Sequence, residues 1–111
     1  MKILLASLIV SLLVAGCQLT PRENKNQPLT DREIAIQKAK ELFKEKQKEG
    51  MALIEGPCLT NEIIPDWVVD IAHDPRQPVD DLPENQCSAF TDGTAHHFVE
   101  LDVSGKLIRA Q

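Results

Sequence analysis

Trp67-Val68-Val69-Asp70-Ile71-Ala72 is the stretch on which the reading of the fold turns. It is rich in β-branched residues, and Trp67, Val69 and Ile71 share one face of an extended chain, so it predicts a strand with one side on a core. Downstream, His97 to Val103 alternates: His97, Val99, Leu101 and Val103 face one way, and Phe98, Glu100 and Asp102 the other. Ser104-Gly105 then turns the chain and Leu107-Ile108-Arg109-Ala110 returns, which predicts a hairpin. Upstream, Thr30-x-x-Glu33 reads as a capping box, with Leu29 and Ile34 placed as a hydrophobic staple. The helix it starts is expected from Asp31 to about Glu49, stopping at Gly50. Ala35, Ile36, Ala39, Leu42 and Phe43 recur at helical spacing and form its apolar side.

The connections are less regular. Met51 to Pro57 leads into the turn signal Gly56-Pro57, and Leu59 to Ile64 is ambiguous, since Thr60 suits the cap of a short turn and Pro65 soon ends the segment. His73 to Ala95 is a long connection in which Pro75, Pro78 and Pro83 oppose regular structure, with Asp92-Gly93 as a turn near its end. Trp67 suits either the largest core residue or an exposed anchor for a partner, the core being favoured. Helix, strand, long loop and hairpin together predict an α+β domain over residues 30–111, one N-terminal helix packed on a small antiparallel sheet.

The ending Phe98-Val99-Glu100-Leu101-Asp102-Val103-Ser104-Gly105-Lys106-Leu107-Ile108 resembles the close of PepSY-type domains of secreted bacterial proteins. The resemblance implies an inhibitory or chaperone-like interaction role. The stretch from Gly56 to Gln86 is similar to small uncharacterised bacterial lipoproteins, which implies no particular activity.

The N-terminus supplies the most specific signal. After Met1 and Lys2 comes an uncharged run, Ile3 to Val14, of 12 residues. As a helix it rises only about 18 Å, short of a hydrocarbon core of roughly 30 Å. A basic start, a short apolar run and small residues at its end are the pattern of a secretory signal. Leu13-Val14-Ala15-Gly16-Cys17 then resembles the lipobox of bacterial lipoproteins at every position. The resemblance implies a diacylglyceryl thioether on Cys17, cleavage between Gly16 and Cys17, and acylation (palmitate-type chains) of the new amino terminus. Two or three chains, at ~0.8 kcal/mol per buried CH₂, make a stable anchor where one does not. Gln18, where the family uses Asp for inner-membrane retention, points to the outer membrane in a two-membrane cell, and otherwise the outer face of the cytoplasmic membrane is expected.

Residues 1–16 are thus expected to be a signal peptide and residues 17–29, with Pro21 and Pro28, a lipidated flexible tether. With Lys2 removed, 11 basic residues remain against 17 acidic, a net charge of −6. Met51 to Gly105 holds eleven of the acids and only Arg76 as a base. That balance argues against nucleic acid as a partner and leaves membrane contact to the lipid. With Cys17 lipidated, Cys58 and Cys87 remain as an even pair in an oxidising compartment. A disulfide is the favoured reading over free thiols or metal ligands, with no CxxC spacing to suggest zinc.

No catalytic motif is present. Ser88 and Ser104 lie outside GxSxG. His73, His96 and His97 with Asp74, Asp80, Asp81 and Glu84 are the candidate metal ligands, and Val79-Asp80-Asp81-Leu82-Pro83-Glu84-Asn85 is a candidate calcium loop without EF-hand spacing. Adjacent residues of a strand point to opposite faces, so His96 and His97 are not expected to serve one ion. Exposed polar residues at strand ends, and a soluble acidic loop, are the simpler readings. The sequence therefore predicts a membrane-anchored envelope lipoprotein without a cofactor, a non-enzymatic module that binds or modulates another envelope protein. The alternative is a divalent-metal-binding envelope protein using His73, His96, His97 and the acidic loop.

Overall fold

Helix α1 spans Asp31–Lys48 and begins as its capping box requires. Thr30 Oγ1 accepts from the Glu33 amide at 3.3 Å, and the Glu33 carboxylate accepts from the Thr30 amide at 2.8 Å. The far end closes in a Schellman arrangement: Met51 N–H reaches the Lys46 carbonyl, Gly50 N–H reaches that of Gln47, and Gly50 takes a φ of 79°. Ala35 and Ala39, both fully buried, let the helix lie close on the sheet, and Phe43 is buried beside them. The helix forms where expected, from the expected face. The structure, a computed structural model, describes residues 15–17 and 25–111. The expected signal segment Ile3 to Val14, and residues 18–24 of the expected tether, lie outside the described residues.

Four strands make one sheet in sequence order: β1 (Cys58–Ile64), β2 (Trp67–Ile71), β3 (His97–Leu101) and β4 (Leu107–Ala110). The ambiguous segment Leu59 to Ile64 is therefore a strand, and Pro65-Asp66 is the turn that returns it as β2. Asp66 sits in that turn at a φ of 73°, a left-handed conformation that Asp tolerates better than most residues. The fold is α+β, with α1 packed on the sheet. The expectation of an all-antiparallel sheet needs correction. β1–β2 and β3–β4 are antiparallel, but β2 and β3 run parallel. A parallel pair needs a crossover of a dozen or more residues to carry the chain back to its starting end. Residues 72–96, read in the sequence only as a long connection, are that crossover.

The crossover explains why β2 is apolar on both sides. Trp67, Val69 and Ile71 face α1, joined by Val99 and Leu101 of β3 in the main core. Val68 points the other way and packs with Cys87 and Ala95 of the crossover, next to Phe98. A pair of strands covered on both faces is what a parallel arrangement demands. Trp67 is a core residue, stacked on the His97 ring with centroids 4.7 Å apart.

The crossover itself is built from single turns. Residues Pro78–Asp81 and Pro83–Asn85 each make a 3₁₀ turn, and α2 (Ser88–Thr91) is one helical turn. Three attachments hold it to the body. Cys87 is disulfide-bonded to Cys58 on β1. The Asn85 side-chain amide donates to the Glu55 and Val79 carbonyls, both at 2.8 Å. The Ala89 amide donates to the Asn61 side chain of β1 at 2.9 Å, while inside the crossover the Asp80 carboxylate, with no exposed surface, accepts from the His73 and Gln77 amides and contacts His73 Nδ1 at 2.9 Å.

Candidate functional site

The face of the sheet turned away from α1 is not sealed. Val68 and Asp70 of β2 and Phe98 and Glu100 of β3 line its middle, by simple alternation from the core residues between them. The crossover lies over them but leaves a cavity of about 120 Å³ beneath Arg76, Gln86 and Phe90. The Cys58–Cys87 bond pins the crossover beside it, since Cys58 pairs with Asp70 across β1 and β2 and Cys87 lines the cavity.

The cavity brings two carboxylates side by side. Asp70 is the register partner of Glu100 on the parallel strand, and Arg109 is the partner of Glu100 on β4. Glu100, only 6 % exposed, takes both cations. Arg76 Nη1 donates to its Oε2 at 3.1 Å, and Arg109 Nε lies 3.4 Å from its Oε1. Arg76 is further committed, donating through Nε to Asp81 at 2.8 Å and through Nη2 to the Asp80 carbonyl at 3.4 Å. The Arg109 guanidinium sits 5.2 Å over the Phe98 ring, and Phe90 meets Phe98 edge-on with centroids 5.3 Å apart.

Asp70 receives neither arginine: among the described residues no basic side chain forms an ion pair with it. Burial, and then the neighbouring Glu100 charge, push its carboxyl up to about 7, against a weaker downward pull from Arg76 and Arg109. A carboxyl held near neutrality in a formed cavity is the kind of group that marks binding and reacting sites.

The residues singled out by the sequence lie elsewhere. His96 Nδ1 is 2.6 Å and His97 Nε2 3.5 Å from the two oxygens of Asp66. The expectation that the two histidines diverge is thus corrected. His96 precedes the first residue of β3, so strand alternation does not govern it. The hydrogen bond from His96 is the main reason the Asp66 carboxyl stays below its ordinary value. His73 is occupied separately by Asp80. In the acidic run, Asp80 turns inward, Asp81 pairs with Arg76 and Glu84 stays exposed, so these carboxylates do not converge. Among the described residues, no group of three or more His, Cys, Asp or Glu side chains is placed to hold a metal ion.

Ser104 donates to Asp102 in the hairpin, and Ser88 contacts Asn61 at 3.4 Å. Cys17 is exposed and free.

The cavity residues Asp70, Glu100, Arg76 and Arg109 were not singled out by sequence reasoning. A charge at an outward strand position reads as solvated, and their meeting depends on the crossover. One signal was available: Val68 and Phe98 share the face of Asp70 and Glu100, and apolar residues on both faces of a strand imply that both are covered. No protein-family model matches the chain, and neither a curated protein nor a solved structure shows significant similarity to it.

Proposed function

We propose that this protein is a lipoprotein of the bacterial cell envelope, held to the membrane by acyl chains on Cys17, whose α+β domain is a non-enzymatic module that binds or modulates another envelope component. The observation that carries the reading is the run Leu13-Val14-Ala15-Gly16-Cys17 behind a short apolar leader. The Cys58–Cys87 disulfide is in keeping with it, because such bonds persist in oxidising compartments and not in a reducing cytosol. The acidic body supports lipid, and not protein charge, as the membrane contact. Gln18 favours the outer membrane of a two-membrane cell. The hairpin's resemblance to PepSY-type endings supports an interaction role, and the cavity on the outer sheet face supplies a recess for it.

Two experiments in intact cells test the two halves of the reading. With an alkyne-palmitate label, the wild-type chain is expected to take up label and sediment with membranes, while Cys17→Ser loses both. A wild-type chain that stays unlabelled ends the anchoring proposal. Crosslinking in the living envelope followed by mass spectrometry is expected to return a recurrent neighbour, and a chain recovered repeatedly alone ends the binding-module proposal.

A further inference from the structure

The cavity between the outer sheet face and the crossover has an unequal charge balance. Its groups and their immediate partners are two guanidiniums, Arg76 and Arg109, and three carboxylates, Asp70, Glu100 and Asp81. The geometry assigns the surplus negative charge to one atom group. Glu100 holds both arginines and Asp81 holds Nε of Arg76, which leaves Asp70 without a counter-ion among the described residues. Asp70 lies in the cavity wall with Val68, and the rings of Phe90 and Phe98 form another side. Phe90 is 41 % exposed and so stands between the cavity and solvent.

We infer that this cavity binds a primary ammonium group, the amine end of a small alkylamine or of a lysine side chain, with its nitrogen on the Asp70 carboxylate and its methylenes against Phe90 and Phe98. The inference rests on the reading of the domain as a binding module and gives that module its ligand chemistry. Four properties of the site select this class. A single positive charge balances the surplus. An ammonium is a compact cation with three donors, and Asp70 offers acceptor oxygens that no basic side chain among the described residues occupies, its side-chain partner being the neighbouring Glu100 carboxyl. Aromatic faces attract both the cation and an alkyl stem. A volume of about 120 Å³ has room for several waters, hence for the end of a chain and not for a nucleotide or a haem. An anionic ligand is disfavoured, because both arginines already lie against the Glu100 carboxylate and Asp70 would repel it.

The test uses the full mature chain, purified from membranes in a neutral detergent, and follows backbone amide resonances during titration. n-Butylammonium is expected to shift the amides of Val68, Asp70, Phe90 and Phe98 saturably, while n-butanol of the same length does not. Asp70→Asn, which removes the charge but keeps the shape, is expected to weaken the amine at least tenfold while the chain stays folded. A lysine-containing peptide that binds more tightly than n-butylammonium, and loses that on ε-acetylation, identifies the ligand as a protein lysine. A peptide that fails where the free amine binds identifies it as a small amine. Equal shifts with butanol, equal affinity in Asp70→Asn, or no saturable shift with either amine overturns the inference. If the amines fail while crosslinking in cells still returns a recurrent neighbour, the binding module stands and only its ammonium ligand falls.

Discussion

Asp70 and Glu100 face each other across the parallel strands β2 and β3, yet both arginines of the cavity go to Glu100. Adjacent carboxylates in one recess cannot both ionise freely, and the unpaired one carries the cost. The Asp70 carboxyl, raised to about 7 in the folded chain, stands above its ordinary value of 3.8. Between those values the folded state therefore holds a proton that the unfolded state has released. The stability this group lends is complete below pH ~4 and is lost as pH rises through about 7.

Asp70→Asn removes that dependence. At pH 8 the variant is expected to be more stable than wild type by on the order of 2–4 kcal/mol, a gain that shrinks toward zero at pH 4. Denaturant unfolding of the two chains at pH 4, 6 and 8 measures it. Equal stability at all three values would mean that Asp70 is compensated in solution.

Asp80 works in the opposite direction. Burial raises its carboxyl, but hydrogen bonds from the Gln77 amide, the His73 ring and the His73 amide outweigh it and hold the group below its ordinary value. Its contribution is present above pH ~4 and fades as the solution becomes more acidic. Both amides donate to Asp80 Oδ2, so Asp80→Asn can keep them on its one oxygen, but it removes the buried charge they stabilise and turns an N–H₂ toward the His73 ring. A loss of about 2–4 kcal/mol at pH 7 is expected, with a shallower acid-unfolding profile than wild type. A variant whose acid profile overlays that of wild type would locate the acid sensitivity elsewhere.

How far these residues were legible in the sequence follows from the range of the forces that place them. Helix α1 is fixed by neighbours within a turn, Thr30 with Glu33 and Gly50 with Lys46 and Gln47, so its limits could be read directly. The hairpin of β3 and β4 is equally local, closed by Asp102, whose carboxylate accepts from the Ser104 and Lys106 amides. The direction of β3 beside β2 is not local. It depends on whether residues 72–96 form a mere loop or cross a whole sheet face, and prolines that forbid long helices do not decide between the two. The cavity shares that dependence: Arg76 meets Glu100 only because the crossover returns over the strand. The disulfide was legible for a different reason, since assigning Cys17 to lipid leaves one pair.

Gly105 lies against the ring of Phe43, where the hairpin turn meets the helix. Its φ is 87°, and a Cβ there would come within 2.7 Å of the ring. Gly105→Ala therefore combines a left-handed strain with overpacking, and is expected to cost about 2–4 kcal/mol. Combining it with Phe43→Leu should return part of the packing share and none of the backbone share. The coupling in a double-mutant cycle of unfolding free energies reads the two apart, and strict additivity would show that the ring simply moves aside.

The disulfide is expected to matter most to the crossover. Cys58 and Cys87 are separated by 29 positions, and in the chain-entropy model closing such a loop contributes about 3–4 kcal/mol. For a domain of this size that is a large share of total stability. Yet α1, β3 and β4 make contacts that do not pass through either cysteine, whereas the cavity has Cys87 in its wall. In Cys58→Ala/Cys87→Ala the unfolding midpoint should fall accordingly. Hydrogen exchange should rise first at residues 85–95 and at the amides of Val68 and Asp70, before the helix. Uniform acceleration across the domain would mean that the bond acts only on the unfolded chain, and that the hydrogen bonds of Asn85 to Glu55 and of Ala89 to Asn61 suffice to hold the crossover in place.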